Sequence, residues 1–329
     1  MKVLVTGSNG FLGSHIVRYL LELGYEVRAF VLKGTPQDNL ARLSYEVFEG
    51  DLLNPSDIEK ALESCDYLIH TAAITDVWPT KNPLSWKINY QLVKSLAEIV
   101  RKKRIRKYIH VGTANSFGFG SIENPGNEVM AFNSGRYGLD YINSKKAAQD
   151  FLLAEAKKDS GLPVVIINPT FMIGENDSKP GPGEMIISVI KRKVPGYSVG
   201  GRSFAAVKDV AHACVNALDK GVVGECYITG GTNLNYKQFF SMIANMANVK
   251  PPRIKIPTFF AIIFAGIMQF IAKIRKRKPL LTVTMAKMSG DGHYYSSEKA
   301  IRELGYEQTD LENALLEAIK WYDTHGYLK

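Results

Sequence analysis

Lys2-Val3-Leu4-Val5-Thr6 followed by Gly7-Ser8-Asn9-Gly10-Phe11-Leu12-Gly13 decides the fold. The first run is short, apolar and rich in β-branched residues, the signature of a strand buried on both faces. After the glycines, Leu12, Ile16, Val17, Leu20, Leu21 and Leu23 recur at helical spacing and Gly24 ends the run. Strand, glycine turn and helix in that order make an anion cradle. The glycines allow a tight turn and close backbone approach, while the helix N-terminus offers unpaired amides and a partial positive charge to a pyrophosphate. Gly7, Asn9, Gly10, Phe11, Leu12 and Gly13 are therefore candidate contacts to a dinucleotide. The spacing is G-x-x-G-x-x-G, which differs from the G-x-G-x-x-G of the commonest dehydrogenases.

Outward from this unit the pattern repeats. Glu26 to Leu32 reads as a second strand, Tyr45 to Phe48 as a third, Asn54-Pro55-Ser56-Asp57 as a helix start, and Tyr67 to His70 as a fourth strand. One long helix is expected from about Leu84 to Lys103, then strands at Tyr108 to Gly112 and Val164 to Asn168. Strands alternating with helices predict an α/β fold with a doubly wound parallel (Rossmann) sheet. Ligands of such sheets bind beyond the carboxyl ends of the strands, where the Gly7 loop, His70-Thr71-Ala72-Ala73 and Thr113 fall. The expected division is a nucleotide-binding domain over 1–168, with returns near 205–230, and a smaller substrate lobe over 169–204 and 232–329.

Tyr141 and Lys145, in the run YINSK, lie one helical turn apart on one face. A phenol has an ordinary pKa of about 10, which a fixed neighbouring cation lowers. Such a pair suits protonation of an oxygen as a carbonyl becomes an alcohol, a reaction that also needs a hydride from a nicotinamide.

The chain has 329 residues, enough to bury a large core, and a formal net charge of +9. The basic clusters Arg101-Lys102-Lys103-Arg104 with Arg106-Lys107, Lys191-Arg192-Lys193 and Arg275-Lys276-Arg277-Lys278 come with no nucleic-acid-binding motif. The first follows a helical pattern, where cations favourably meet a helix C-terminus. The three cysteines, Cys65, Cys214 and Cys226, have no metal spacing and cannot all pair, which points to a reducing compartment. Met1 opens almost directly into the first strand, so the expected location is the cytoplasm. Phe259 to Ile274 is apolar except for Gln269 and Lys273. At about sixteen residues it is short of the roughly twenty that span a bilayer. It is expected to be a helix of the substrate lobe; the rival reading lays 259–278 in a membrane interface with the basic run on anionic headgroups.

The runs TGSNGFLG, Gly50-Asp51-Leu52, His70 to Ala73, Asn89, Val111 to Gly118 and YINSK together resemble the extended short-chain dehydrogenase/reductases over nearly the whole chain. Asn168-Pro169-Thr170-Phe171-Met172-Ile173-Gly174, Val207-Lys208-Asp209-Val210-Ala211 and Tyr227-Ile228-Thr229-Gly230-Gly231 are similar to the dihydroflavonol-reductase-like branch. The resemblance implies a catalytic tetrad of Asn89, Thr113, Tyr141 and Lys145. Tyr141 is then the general acid, Lys145 holds the nicotinamide ribose and lowers the Tyr pKa, Thr113 bonds the substrate oxygen, and Asn89 supports the Lys. Two departures stand out: Thr113 occupies a position where Ser is common, and Gly112 replaces the usual preceding Ser. Ser116 is the competing hydroxyl.

The same resemblance places Asp51 and Leu52 at the adenine, Thr71, Ala72, Ala73, Asn168 and Pro169 along the cofactor, and Asp76, Trp78, Thr113, Thr170 and Phe171 around the substrate. Often such proteins are homodimers. An acid roughly twenty residues past the glycines would bind the ribose hydroxyl of NAD. Here the run is Phe30-Val31-Leu32-Lys33-Gly34, and Lys33 is placed to meet a 2′-phosphate, which predicts NADP; Asp38 keeps NAD as the alternative. The leading functional expectation is an NADPH-dependent reductase of a ketone or aldehyde. A nucleotide-sugar epimerase or dehydratase is the alternative, and a noncatalytic nucleotide-binding protein is disfavoured by the complete tetrad.

Overall fold

In the computed structural model residues 1–329 are described apart from 276, 278 and 280. The chain runs β1 (Lys2–Thr6), α1 (Phe11–Glu22), β2 (Glu26–Val31), β3 (Glu46–Glu49), α2 (Pro55–Ala61) and β4 (Tyr67–His70). A helical stretch follows in three parts, α3 (Pro83–Trp86), a π turn at Lys87–Gln91 and α4 (Leu92–Lys102). Next come β5 (Lys107–Val111), α5 (Asp140–Ala156) and β6 (Val164–Pro169). The second half supplies β7 (Phe171–Ile173), α6 (Gly183–Ile190), β8 (Gly196–Tyr197), β9 (Gly201–Ala206), α7 (Val207–Asn216), β10 (Cys226–Thr229), β11 (Thr232–Asn235) and α8 (Tyr236–Met246). The chain closes with β12 (Ile254–Lys255), α9 (Thr258–Ile274), α10 (Val283–Gly290), β13 (Gly292–His293), α11 (Glu298–Leu304) and α12 (Leu311–Thr324).

Seven strands form one parallel sheet in the order β10-β6-β5-β4-β1-β2-β3. Its strands are apolar on both faces because both are covered. Val3 and Val5 point to a cluster with Ile16, Val17 and Leu20 of α1 and Val210 and Ala213 of α7. Leu4, between them, points the other way, to Leu92, Leu96, Val100, Ala148 and Leu152 of α4 and α5. Gly24, at φ 79°, reverses the chain after α1, and Tyr25 N–H closes on Leu20 O at 3.0 Å. The order reverses between β1 and β4, and a crevice opens there beyond the strand ends.

A second sheet pairs β9 with β7, β11 and β13. Its core joins Ile173, Phe204, Phe239, Phe240, Trp321 and Tyr322, with the Phe204 and Phe239 rings stacked at 3.8 Å. Ala300, Leu304 and Tyr306 pack instead with α1 and α7 in the first cluster. The three cysteines are free.

The helix expected to be continuous over 84–103 is divided by the π turn, which places an extra residue in the turn that carries Asn89. Among the described residues no helix is long and apolar enough to cross a membrane.

Candidate active site

The Gly7 loop is shaped by close approach. Gly7 has φ 68°, and a Cβ there would lie 2.7 Å from Thr71 Oγ1 and 2.8 Å from Ala72 N. A Cβ on Gly13 would fall 2.1 Å from Gly7 O, so only glycine lets α1 sit against the loop. Gly10 N–H donates to Gly7 O at 3.0 Å, and Gly10 then caps α1 without any side-chain bond and without an acid in the first turn. The amides that open α1 are thus left for an anion. Thr71 Oγ1 donates to Thr6 O at 2.7 Å, locking the end of β4 against that of β1.

Asn9 Nδ2 donates to Pro36 O at 2.9 Å and Thr35 Oγ1 at 3.2 Å, tying the glycine loop to the turn after β2. Lys33 and Asp38 are both exposed in that turn. Asp51 Oδ1 accepts from Leu53 N–H at 2.8 Å, and Leu52 packs partly buried over the second core cluster.

At the end of β5, Thr113 is buried, its Oγ1 accepts from Asn115 N–H at 3.3 Å, and the hydroxyl lies close enough to Tyr141 on α5 to act on its phenol. Burial raises the Tyr141 pKa, while the nearby Thr113 hydroxyl and the charge of Arg202 act against it. Lys145, one turn further on α5, is buried and donates to Val111 O at 2.7 Å; burial lowers its pKa to about 8. Arg202 is a cation whose charge reaches the phenol, while Lys145 donates to the β5 backbone. Ser116, the competing hydroxyl, is buried with its Oγ unpartnered.

Behind Thr113, Asn168 Nδ2 donates to Thr113 O at 3.1 Å and to Gln149 Oε1 at 2.8 Å. Asn168 is fully buried, and its neighbour Pro169 pairs with Thr229 of β10. The same amide explains Gly112, since a Cβ there would lie 2.5 Å from Asn168 Nδ2 and 3.2 Å from Ile166 Cγ2. Asn89 Nδ2 donates to Ser144 Oγ at 3.2 Å, and Ser144 Oγ donates to Tyr141 O at 3.0 Å. Asn89 is therefore linked to the Tyr141 helix through Ser144.

On the substrate side, Asp76 is exposed and Trp78 half-buried in the segment after β4. Thr170 Oγ1 is buried without a partner, and Phe171 meets Phe204 edge-on. Sequence reasoning missed Arg202. Its guanidinium stands 5.5 Å from the Phe171 ring centroid and its Nε donates to Tyr236 Oη at 2.9 Å. Among the described residues it forms no salt bridge, yet its charge reaches Tyr141 and His293. A lone charge in the strand Gly201–Ala206 was the available signal; what puts it here is the pairing of β9 with β7, which is tertiary. Tyr137 was missed as well. It donates to Asp291 Oδ2 at 2.5 Å, fastening the segment before α5 to the end of α10.

Residues 3–230 match the model of the NAD dependent epimerase/dehydratase family. The chain belongs to this family. It lies within the extended short-chain dehydrogenase/reductases and is an NAD(P)-dependent oxidoreductase of that type. A Synechocystis protein named as a dihydroflavonol 4-reductase is 29% identical, over 99% of this chain and 95% of its own. The crystal structure of gox2253 has 31% identity and a TM-score of 0.87, with 99% of each chain covered. A UDP-glucuronic acid 4-epimerase from Bacillus cereus, solved with UDP-glucuronic acid and NAD, shares the fold at 21% identity and a TM-score of 0.78, over 99% of this chain and 100% of that one.

Family members bind nicotinamide cofactors. The residues present here fit one, because the glycine loop leaves the α1 amides uncapped and uncontested by any acid, facing the crevice between β1 and β4.

Proposed function

We propose that the protein is an NADPH-dependent reductase of a ketone or aldehyde, with Tyr141 as general acid. The observation that carries this reading is the approach of the buried Thr113, just past β5, to Tyr141 of α5, with the buried Lys145 one turn along the same helix. The relative named as a dihydroflavonol 4-reductase supports it.

The nicotinamide, when bound, supplies the hydride. Tyr141 Oη gives its proton to the carbonyl oxygen as that atom gains charge, and Thr113 Oγ1 holds the same oxygen. Lys145 spends one N–H on Val111 O and keeps two for the ribose hydroxyls and the phenolate left on Tyr141. Asn89 positions Tyr141 and Lys145 through Ser144. The α1 amides, with Thr71, Ala72 and Ala73, hold the pyrophosphate side of the cofactor, and Asp51 and Leu52 the adenine. Lys33, with no acid beside it at the end of β2, takes the 2′-phosphate. Asp76, Trp78, Thr170 and Phe171 surround the substrate, which sits between a dinucleotide domain over 1–168 and the lobe over 169–204 and 232–329.

Arg202 favours a second reading. A cation with no carboxylate partner among the described residues, whose charge reaches Tyr141, suits an anionic substrate such as a nucleotide sugar, and an epimerase would use it. Incubation with a carbonyl panel and a nucleotide-sugar panel separates the two. The reductase oxidises external NADPH in step with alcohol formed; an isomerised nucleotide sugar with no change in nicotinamide absorbance would overturn the assignment.

A further inference from the structure

The net positive charge of the chain comes from one stretch. Between Glu225 and Asp291 there is no Asp or Glu, while ten of the 41 Lys and Arg fall there. The rest of the chain therefore carries 31 basic residues against 32 acidic ones and is close to neutral. Of the ten, Lys276 and Lys278 lie outside the described residues; the other eight, among them Lys250, Arg253, Lys255, Lys273, Arg275 and Arg277, are all exposed.

In the middle of this stretch lies α9, whose outer face is apolar. Phe259, Phe260, Ile263, Phe264, Ile267, Phe270, Ile271 and Ile274 are exposed, the first at 68% and Phe270 at 67%. At 100° per residue these positions fill one continuous arc of about 140°. The opposite face is Ala261, Ala265 and Ala272, of which the first two pack with Ala286 of α10. Gln269 Oε1 accepts from Val283 N–H at 2.8 Å, and a Cβ on Gly290 would strike Thr258 Oγ1 at 2.5 Å. The helix is thus fixed in place with its phenylalanines outward.

We infer that α9 is a membrane-docking helix that lies in the interface of a bilayer containing anionic lipid, its phenylalanines and isoleucines among the acyl chains and the flanking cations on the headgroups. Arg253 and Lys255 precede the helix, Lys273 stands in its last turn and Arg275 and Arg277 follow it, so both ends meet the headgroup layer. Length excludes spanning, since 17 residues reach about 26 Å and one face is already packed on α10. A second copy of the chain is the poorer occupant. A two-fold contact presents each patch to itself, and a patch flanked at both ends by cations with no acid in its stretch then meets like charge. A monomeric surface seldom exposes so large a contiguous apolar area without a partner.

Flotation of the full-length protein with liposomes tests this. Vesicles of phosphatidylcholine with about a quarter phosphatidylglycerol are compared with phosphatidylcholine alone; about tenfold more protein should float with the anionic set, and high salt should reduce it. The triple variant Phe260→Asp, Phe264→Asp, Phe270→Asp alters only exposed positions and should stay at the bottom of the gradient with its thermal midpoint and NADPH affinity unchanged. Arg275→Glu with Arg277→Glu is a second variant that leaves the apolar face intact and should remove the preference for anionic vesicles. Equal flotation on both vesicle types, none on either, or undiminished flotation of the triple variant overturns the inference. So does a dimer in sedimentation that the triple variant splits and vesicles leave intact.

Discussion

Asn89 holds Ile74 by both of its backbone polar groups: its Oδ1 accepts from Ile74 N–H and its Nδ2 donates to Ile74 O, each at 2.9 Å. Asn89 itself is buried in the π turn between α3 and α4. The segment leaving β4, which carries Ala72, Ala73, Asp76 and Trp78, is thereby strapped to the helix that covers it. Through Ser144 the same amide reaches α5 one residue before Lys145.

Asn89→Ala leaves both backbone groups of Ile74 without their partners and should cost roughly 2–4 kcal/mol of unfolding free energy. Urea denaturation measures it. A loss below about 0.5 kcal/mol would mean that the strap is easily replaced by water.

Tyr141→Phe removes the proton donor and almost no binding surface. Turnover of a working substrate should fall about 10²–10⁴-fold while NADPH affinity stays within about twofold. A Phe variant that keeps most of its kcat would move the acid elsewhere.

Lys33→Ala tests cofactor choice. The unmodified protein should bind NADPH more tightly than NADH, and the variant should narrow the gap by about 1.5–3 kcal/mol, the worth of a charge-assisted contact. Nicotinamide fluorescence titrations give both constants. Tighter binding of NADH to the unmodified protein would reassign the site to NAD.

Four buried histidines predict acid sensitivity. Burial lowers the pKa of His15 to about 4 and of His70 to about 3, and holds His110 and His293 well below the ordinary 6.5. Unfolded, all four bind protons below pH 6.5 that the folded state refuses, so stability is complete above about 6.5 and falls as pH drops toward 4. Urea midpoints at pH 7.5, 6.5 and 5.5 should show a loss on the order of 4 kcal/mol by pH 5.5. A flat profile across that interval would mean that the imidazoles are hydrated in the fold.

The parallel sheet was legible because its determinants are local. Val3, Leu4 and Val5 are apolar in succession, as only a strand covered on both faces requires, and the glycines that follow mark where backbone must approach backbone. Thr113 and Ser116 are both buried after β5, Thr113 near enough to act on the Tyr141 phenol and Ser116 three residues further on. The π turn left no trace in the sequence, because the extra residue is accommodated by the grip of Asn89 on a distant loop. Arg202 escaped notice for a similar reason: its place beside Phe171 depends on which strands pair. Phe259 to Ile274 reads as a helix from its apolar run, but that only its alanines are buried follows from how tightly α10 packs.

The room that Gly112 leaves is filled by Asn168, whose amide bridges Thr113 O and Gln149. A hydroxymethyl group at 112 can enter only by pushing that amide off both partners, and the pocket around it is closed. Positions 112 and 168 are therefore epistatic. Gly112→Ser alone should be deleterious and Asn168→Ala alone should loosen Thr113, while the two together restore the volume. Anyone importing the commoner serine into this chain must change two residues rather than one.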